Sequence, residues 1–281
     1  MKLLSGKELS TRIKNSFKLT IDKWAQAGHK ICLSVIQVGN DAASSVYVRN
    51  KENACRQIGI EPRFYKLPET SSTECVVELI KALNDDDTVT GILVQLPLPK
   101  HINEDKIIQS INPMKDVDGF TNENVGKLMI GQDTFVPCTA AGIIELLEYN
   151  KIEIEGKNCV VVGRSNIVGK PTAIELLHRN GTVTVCHSKT KNLKEICKAA
   201  DILVCAIGKP KFFNREYVGQ DAVVIDVGIH RQEDGTLCGD VDFEDVKDIV
   251  EAITPVPGGV GAMTVAMLMK NCVQAAIMQM K

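Results

Sequence analysis

Apolar residues recur along this chain with two spacings, one typical of helices and one typical of short buried strands. The strand-like segments are continuous apolar runs such as 31–38, and the helix-like segments carry an apolar residue at every third or fourth position. The first helical face consists of Leu9, Ile13, Phe17, Ile21 and Trp24, with Gly28 as its end. The elements that follow are predicted as helix 43–58, strand 63–67, helix 75–83 and strand 90–95. This alternation predicts right-handed βαβ units on a parallel sheet.

A second series of elements begins near Pro137, where Thr139 is expected to cap a helix that reaches Tyr149. Its further elements are predicted as strand 159–162, helix 171–179, strand 182–186, helix 192–199, strands 202–206 and 222–227, helix 246–251, strand 252–254 and helix 263–280. We therefore predict an α/β protein of two domains, residues 1–138 and 139–261, both with mainly parallel sheets. The last helix, within 262–281, is expected to pack back on the first domain.

Composition and charge describe an ordinary globular protein. The 281 residues are 44% apolar and 24% charged, and 33 basic against 35 acidic residues leave a net charge of −2. This balance gives no overall attraction to nucleic acid or to an anionic membrane. The longest apolar runs are of strand length, well short of the roughly 20 residues of a membrane span. No apolar segment typical of a secretory signal follows the first residues, so a cytoplasmic location is expected.

The ten cysteines and five histidines change this picture little. There is no Cys-x-x-Cys pair, and several cysteines lie inside apolar runs, where a thiol behaves as a small hydrophobic group. Reduced structural thiols are therefore predicted. The histidines have no metal-ligand spacing, so no metal is expected.

A glycine turn links strand 159–162 to the next helix in the segment GRSNIVGKP. Five residues separate Gly163 from Gly169, which fits neither the phosphate loop of nucleotide triphosphatases nor the usual dinucleotide pattern. The turn predicts a pyrophosphate site, with an ordinary strand-to-helix turn as the alternative. The following strand, 182–186, leads into His187, Ser188 and Lys189 without a carboxylate, and Arg164 follows the first glycine. Both features favour NADP over NAD.

Tyr47 and Lys51 are candidates for proton transfer, and Gln95 is placed to meet Lys51 or a ligand. Tyr47 lies four residues before Lys51 on the same helical face, and Gln95 ends a strand of the predicted sheet, where ligands gather. The alternatives are a surface lysine over a core tyrosine and an exposed glutamine. Short-chain dehydrogenases use the same Tyr–Lys spacing, but there it follows the nucleotide loop, so chain order excludes that class.

Two loops are further candidates. The segment KDVDGF (115–120) carries the carboxylates Asp116 and Asp118, with a solvated surface turn as the alternative. The segment PVPGGVG (255–261) combines rigid and flexible residues that let a flat ligand approach the backbone, with a domain connector as the alternative.

Taken together, these segments resemble the methylenetetrahydrofolate dehydrogenase/cyclohydrolase family. The match occurs in family order over almost the whole chain and consists of YVRNK (47–51), GILVQLPLP (91–99), KDVDGF (115–120), GRSNIVGKP (163–171), HSKT (187–190), VVIDVGI (223–229), GDVDF (239–243) and TPVPGGVGAMT (254–264).

The resemblance implies two α/β domains flanking a cleft, the second Rossmann-like, in a bifunctional enzyme of one-carbon metabolism that contributes to purine biosynthesis. It implies NADP-dependent oxidation of 5,10-methylenetetrahydrofolate, hydrolysis of the methenyl product to 10-formyltetrahydrofolate, and a homodimer formed through the nucleotide domains. The implied catalytic residues are Lys51, Tyr47, Gln95 and Asp118. Folate contacts are implied at Tyr47, Lys51, Val94, Gln95, Leu96, Asp118, Pro257, Gly258, Gly259, Val260 and Gly261, and NADP contacts at Gly163, Arg164, Ser165, Ser188 and Ile229.

Three positions depart from the family pattern. The family often has proline in place of Ala140 and Ala262, and histidine is common in place of Thr121. These changes are expected to affect folate affinity or loop rigidity. A dehydrogenase without hydrolysis, a preference for NAD, and a non-catalytic nucleotide-binding protein are the alternative functions.

Overall fold

The computed structural model describes residues 1–40 and 42–280, and for residues 42–47 it describes the backbone. The chain divides into two compact units. The six-stranded unit consists of Met1–Ser10 and Pro137–Thr264, and the three-stranded unit consists of Thr11–Val136 and Val265–Lys281. Residues 1–10 group with the six-stranded unit because its edge strand starts at Lys2. The predicted α/β class with mainly parallel sheets is confirmed.

Elements up to residue 129 are β1 (Lys2–Leu3), α1 (Gly6–Gln26), β2 (Cys32–Val38), α2 (Ala42–Ile58), β3 (Glu61–Leu67), α3 (Thr73–Asp85), β4 (Gly91–Val94), α4 (Glu104–Gln109) and α5 (Asn122–Met129). The later elements are α6 (Cys138–Tyr149), β5 (Asn158–Val162), α7 (Gly169–His178), β6 (Thr182–Cys186), α8 (Leu193–Lys198), β7 (Ile202–Cys205), β8 (Val223–Asp226), β9 (His230–Arg231), β10 (Leu237–Cys238), α9 (Phe243–Val246), β11 (Ala252–Ile253) and α10 (Val260–Gln279).

The three-stranded unit is built on a parallel sheet with the order β3-β2-β4. The central strand β2 is buried along its whole length, as expected for a parallel strand covered on both faces. Helix α3 packs its apolar face on this sheet, and the Ser72 Oγ caps that helix by accepting the Cys75 N–H at 3.2 Å. β2 and β4 end side by side, since Ile36 pairs with Val94 and the Gln95 N–H donates to the Ile36 carbonyl at 2.8 Å.

The six-stranded unit is built on a parallel sheet with the order β1-β11-β8-β7-β5-β6. The chain leaves β5 toward β6 on one side and returns to β7 on the other side. The order of the strands therefore reverses at β5, and ligands of doubly wound sheets bind at such a switch point.

Two predicted details are wrong. Helix α6 begins at Cys138 after Pro137, which makes no side-chain cap, and the Thr139 Oγ1 lies 3.3 Å from the Thr264 Oγ1 instead. The hydroxyl therefore makes a tertiary contact. A helix is predicted over 246–251, but the short helix α9 ends at Val246, which is buried. The chain then turns, and the Ile249 N–H donates to the Val246 carbonyl at 3.0 Å.

The C-terminal helix α10 is the one described helix that is long and apolar enough to cross a membrane by length and composition. Its most apolar window has a mean hydropathy of 1.4, and 61% of that window is buried inside the protein. Polar residues such as Asn271 interrupt the apolar residues of this helix, so it forms no unbroken apolar run in the sequence. Its burial is that of a core helix.

No disulfide joins any of the ten cysteines, and Cys75 alone among them is exposed. Burial raises the pKa of Cys32 to about 11 and that of Cys55 to about 12. Thiols with such pKa values carry almost no thiolate near neutral pH and are poor nucleophiles. The buried cysteines therefore contribute to packing.

Candidate functional site

A lysine–glutamine pair stands at the end of strand β4. The Lys51 Nζ, on α2, donates a 2.9 Å hydrogen bond to the Gln95 Oε1, and both side chains are half-buried. The Gln95 Nε2 donates to the Leu96 carbonyl at 2.7 Å. The amide is therefore oriented with its oxygen toward the amine. Tyr47 lies one helical turn before Lys51, and its side chain falls outside the described residues.

The first carboxylate of the 115–120 loop is structural. Asp116 is buried and accepts hydrogen bonds from the N–H groups of Gly119 (3.0 Å) and Thr121 (2.8 Å) and from the Asn124 Nδ2 (2.8 Å). Lys115 is buried as well, and its Nζ donates to three main-chain carbonyls. Burial lowers the pKa of the Lys115 amine. This loop is therefore a packed element and not a solvated turn.

The second carboxylate, Asp118, is half-buried at an apolar depression. The other residues around it are Ile92, Val94, Leu96, Ile108, Ile111, Asp116 and Phe120. The wall of the depression is apolar apart from the carboxylates of Asp116 and Asp118. Gln95 stands in the sequence between Val94 and Leu96, which both line this depression.

Helix α10 supports the same loop through a residue that the sequence analysis did not single out. The Asn271 Nδ2 donates to the Val117 carbonyl at 2.8 Å and to the Val136 carbonyl at 3.1 Å. Asn271 is buried, and a buried amide in an apolar helix is a signal for such a contact. Gly91 lies under the loop, where a Cβ would stand 2.6 Å from the Val117 Cγ1.

The glycine turn after β5 lies at the switch point of the six-stranded sheet. Gly163 has φ of 137°, and a Cβ there would overlap the carbonyl of Ala206, the first residue after β7. A Cβ on Gly169 would overlap the Gly163 carbonyl. The Ser165 Oγ accepts the N–H groups of Val168 (3.2 Å) and Gly169 (3.3 Å). The five intervening residues thus fold back into a compact turn at the start of α7.

The exposed side chains of Arg164 and Ser188 follow neighbouring strands at the same edge of the sheet. Val162 pairs with Cys186, so each side chain lies two residues beyond a paired position. The turn after β6 is held by the His187 N–H, which donates to the Thr190 Oγ1 at 2.9 Å, and by the Lys189 N–H, which donates to the His187 Nδ1 at 3.1 Å. Residues 187–190 contain no carboxylate.

The 255–261 loop lies beside Ile229 within the six-stranded unit. A Cβ on Gly261 would stand 2.8 Å from the Ile229 Cδ1, and the Ile229 side chain is 39% exposed. The Gly258 carbonyl accepts the N–H groups of Gly6 (2.8 Å) and Lys7 (3.0 Å) at the start of α1. Gly258 has φ of 100°, which favours glycine. The loop is thus a fixed turn that presents backbone and an apolar side chain.

Each of the two units of the chain matches a known protein family. Residues 4–118 match the family model for the tetrahydrofolate dehydrogenase/cyclohydrolase catalytic domain, and residues 137–280 match that for its NAD(P)-binding domain. The chain belongs to the tetrahydrofolate dehydrogenase/cyclohydrolase family. The resemblance found in the sequence is confirmed.

Relatives match this chain over nearly its full length. A Bifunctional protein FolD from Lachnoclostridium phytofermentans is 60% identical over 98% of this chain and 97% of its own. The crystal structure of the bifunctional enzyme FolD from Campylobacter jejuni has a TM-score of 0.97 and 47% identity, and 99% of each chain is covered. The Trypanosoma brucei methylenetetrahydrofolate dehydrogenase-cyclohydrolase, solved with NADP and an inhibitor, has a TM-score of 0.95 and 35% identity over 99% of this chain and 98% of that one. The predicted enzyme class and cofactor are confirmed at this level.

The geometry of the glycine turn fits NADP. The close approach of Gly163, Gly169 and the Ala206 carbonyl removes side chains from the switch point, which is the cradle that a pyrophosphate needs. The exposed Arg164 side chain carries a positive charge at this edge of the sheet, and the 187–190 turn brings no opposing carboxylate.

Replacing Gly169 with alanine is expected to weaken NADP binding and to destabilise the fold by about 1–3 kcal/mol, because the new Cβ meets main-chain atoms that cannot rotate away. Gly126→Ala is the matched control, since a Cβ there meets nothing within 4 Å and the residue lies inside α5. Urea unfolding and calorimetric NADP titration of both variants measure these effects. Equal stability and affinity in the two variants would contradict this account of the turn.

The structure places the three residues that depart from the family pattern in or beside helices. Thr121 is buried at the start of α5, where its Oγ1 accepts the Asn124 N–H at 3.5 Å, so it is a structural cap. Ala140 is fully buried in α6. The Ala262 N–H donates to the Gly259 carbonyl at 3.2 Å in the first turn of α10.

Two buried carboxylates, those of Asp226 and Asp240, lie near Ile229 in the six-stranded unit, and the sequence analysis did not single them out. The Asp226 carboxylate accepts the N–H groups of Gly228 (3.0 Å), Asp240 (2.8 Å) and Val241 (3.0 Å). Burial is the main cause that raises the pKa of Asp226 to about 6, and the nearby Asp240 adds to it. The sequence carries these residues in VVIDVGI and GDVDF, but nothing in it shows that the two segments meet.

The Asp226 carboxylate is expected to make the free energy of unfolding depend on pH. Asp226 keeps its proton to about pH 6 when folded and to about pH 3.8 when unfolded, so the folded state binds more protons between these values. The free energy of unfolding should therefore fall by about 2–3 kcal/mol from this group as pH rises from 4 to 7. Urea unfolding at several pH values should show this slope in the parent protein and not in Asp226→Asn. Parallel curves for the two proteins would contradict the assignment.

Proposed function

We propose that this chain oxidises 5,10-methylenetetrahydrofolate with NADP and then hydrolyses the methenyl product to 10-formyltetrahydrofolate, with Lys51 at the centre of the second reaction. The observation that carries the proposal is the 2.9 Å hydrogen bond between the Lys51 Nζ and the Gln95 Oε1, directly after strand β4, whose last residue Val94 lines the Asp118 depression. Relatives described as bifunctional cover nearly the whole chain, and one of them was solved with NADP.

In the oxidation, the protein binds and positions its two substrates. NADP supplies the acceptor for the hydride, and the amine lone pairs of the folate stabilise the cation that forms, so no strong protein base is needed. Correct alignment alone contributes about 7–11 kcal/mol to such reactions. We assign NADP binding to Gly163, Arg164, Ser165, Ser188 and Ile229.

The folate is held by the depression of the three-stranded unit and by a glycine loop. The Asp118 carboxylate accepts hydrogen bonds from the pterin ring, and Val94 and Leu96 contact its faces. The backbone of the 257–261 loop, from Pro257 through Gly258, Gly259 and Val260 to Gly261, contacts the folate as well. Asp116, Lys115 and Asn271 hold the loop that carries Asp118.

In the hydrolysis, Lys51 accepts a proton from the attacking water and returns one as the ring opens. A cationic methenyl substrate close by favours the neutral form of an amine, and the neutral form is the one that acts as a base. Gln95 orients the Lys51 Nζ without adding a negative charge that would hold its proton. Tyr47 aligns the water or the ring nitrogen.

Hydrolysis assayed without nucleotide separates this proposal from a dehydrogenase of the same fold. Purified protein is mixed with 5,10-methenyltetrahydrofolate, and the loss of the methenyl absorbance is followed against a buffer control. Catalysed loss supports the bifunctional enzyme. Loss at the buffer rate, together with intact NADP reduction, would leave a dehydrogenase only, and the absence of both reactions would favour a binding protein.

The sequence-based domain roles, homodimer and location are also proposals. We assign folate binding to the predicted domain 1–138 with helix 262–281, except for residues 1–10, whose strand β1 pairs in the six-stranded sheet, and we assign NADP binding to residues 139–261. A homodimer through the NADP-binding domain is supported by the edge strand β6, where Val185 is 40% exposed, and by Leu177 at 53%. The free thiols suit a reducing cytoplasm, where 10-formyltetrahydrofolate serves purine biosynthesis. Sedimentation of Val185→Lys tests the dimer, which this change should dissociate.

A further inference from the structure

Asp240 joins two loops at the ligand edge of the six-stranded sheet. It is completely buried, and its carboxylate accepts four hydrogen bonds. The donors are the N–H groups of Ile207 (2.7 Å), Gly208 (2.9 Å) and Lys209 (2.8 Å) and the His230 Nε2 (2.8 Å). The first three belong to the loop after β7, and His230 directly follows Ile229.

This carboxylate sits in a rigid block. Its own main-chain N–H donates to Asp226, and a Cβ on Gly228 or on Gly239 would overlap one of the two carboxylates. Neither loop can therefore shift without breaking charge-assisted hydrogen bonds, which are stronger than neutral ones.

His230 and Asp240 connect two segments that lie near the switch point of the sheet. On one side, the loop after β7 starts at Ala206, whose carbonyl packs on Gly163. On the other side, Ile229 precedes His230 and packs on Gly261. The N–H groups of residues 207–209 donate to Asp240 and are therefore not available to bind a phosphate. We assign phosphate binding to the glycine turn after β5.

We propose that His230 and Asp240 are positioning residues for the nicotinamide cofactor, holding the loop after β7 and Ile229 at a fixed spacing beside Gly163. This inference rests on the proposed NADP-dependent function. Neither residue is assigned a contact with the cofactor. Their effect passes through Ile229 and the main chain of 206–209.

The test compares His230→Ala with His230→Gln, which keeps an N–H donor at the end of a similar side chain. For both variants and the parent protein, NADP affinity is measured by calorimetry, the KM for NADP and kcat are measured in the oxidation, and methenyl hydrolysis is measured without nucleotide. The matched control is His178→Ala, which removes a histidine 3.9 Å from Glu175 on α7 in the same unit.

We expect His230→Ala to weaken NADP binding about tenfold and to raise the KM for NADP similarly, with kcat and methenyl hydrolysis within about twofold of the parent protein. His230→Gln should restore most of the affinity, and His178→Ala should not change it. Unchanged NADP affinity in His230→Ala would overturn the proposal. So would equal losses in the alanine and glutamine variants, or a parallel loss of hydrolysis and thermal stability.

The parent protein tests the proposed function separately. A parent that binds NADP without reducing it would refute the oxidation and leave the ratio of affinities between parent and variants as the test of the His230–Asp240 pair. A parent that does not bind NADP would refute both.

Discussion

Replacing Lys51 with methionine is expected to abolish methenyltetrahydrofolate hydrolysis while NADP binding is kept. Methionine fills similar space but neither accepts nor donates a proton and cannot bond the Gln95 Oε1. General acid–base catalysis typically contributes about 10²–10⁴-fold, so the loss should be of that size. Lys51 lies in the three-stranded unit, whereas Gly163, Arg164 and Ser188 lie in the six-stranded unit.

Calorimetric NADP titration and nucleotide-free methenyl hydrolysis measure the two effects on the same Lys51→Met preparation. Gln95→Glu is a second variant, and its added negative charge should hold the proton on Lys51 and slow hydrolysis without removing the hydrogen bond. Hydrolysis retained in Lys51→Met would remove Lys51 from its role. Hydrolysis at the parent rate in Gln95→Glu would refute the role of a neutral glutamine.

Replacing Arg164 with alanine is expected to weaken NADP by about 10–100-fold and NAD by no more than about twofold. A hydrogen bond to a charged group contributes about 1.5–3 kcal/mol, and only NADP carries the 2′-phosphate that the guanidinium would bind. Arg164 is exposed at the ligand edge of the sheet, two residues beyond the Val162–Cys186 pair.

Dissociation constants for both nucleotides, measured at one ionic strength, test this selectivity. Lys170→Ala is the control, because Lys170 is an exposed cation in the same turn whose Nζ donates to the Asn166 Oδ1 at 2.7 Å. It should reduce NADP affinity only slightly. Equal losses of NADP and NAD in Arg164→Ala would show that this residue does not read the 2′-phosphate.

Much of the fold follows from local patterns in the sequence. Strand β6 occupies the predicted residues 182–186, and α2 begins within one residue of its predicted start. Both elements have strong periodicity and clear ends, such as Gly59 after α2. The position of Gln95 also follows from the sequence, because this residue directly follows strand β4 and ligands gather at the carboxyl ends of parallel strands.

Other features depend on contacts between distant residues and have no local signal. Strand β1 has two residues and exists only because β11 lies beside it. Asp116 and Asp118 look alike in the sequence, but Asn124 and two N–H groups surround the first. The Asp226–Asp240 block likewise unites segments fourteen residues apart through main-chain donors. Sequence patterns therefore found the candidate groups, and the structure separated those that support the site from those that face it.

The most direct test of the central claim follows both reactions on one chain. Purified protein is mixed with 5,10-methylenetetrahydrofolate and either NADP or NAD, and reduced nucleotide and the methenyl intermediate are recorded together. We expect NADP to be reduced much faster than NAD, with little methenyl accumulation per reduced nucleotide in the parent protein and marked accumulation per reduced nucleotide in Lys51→Met. Methenyl accumulation in the parent equal to that in Lys51→Met, or no reduction with either nucleotide, would contradict the account of a bifunctional enzyme.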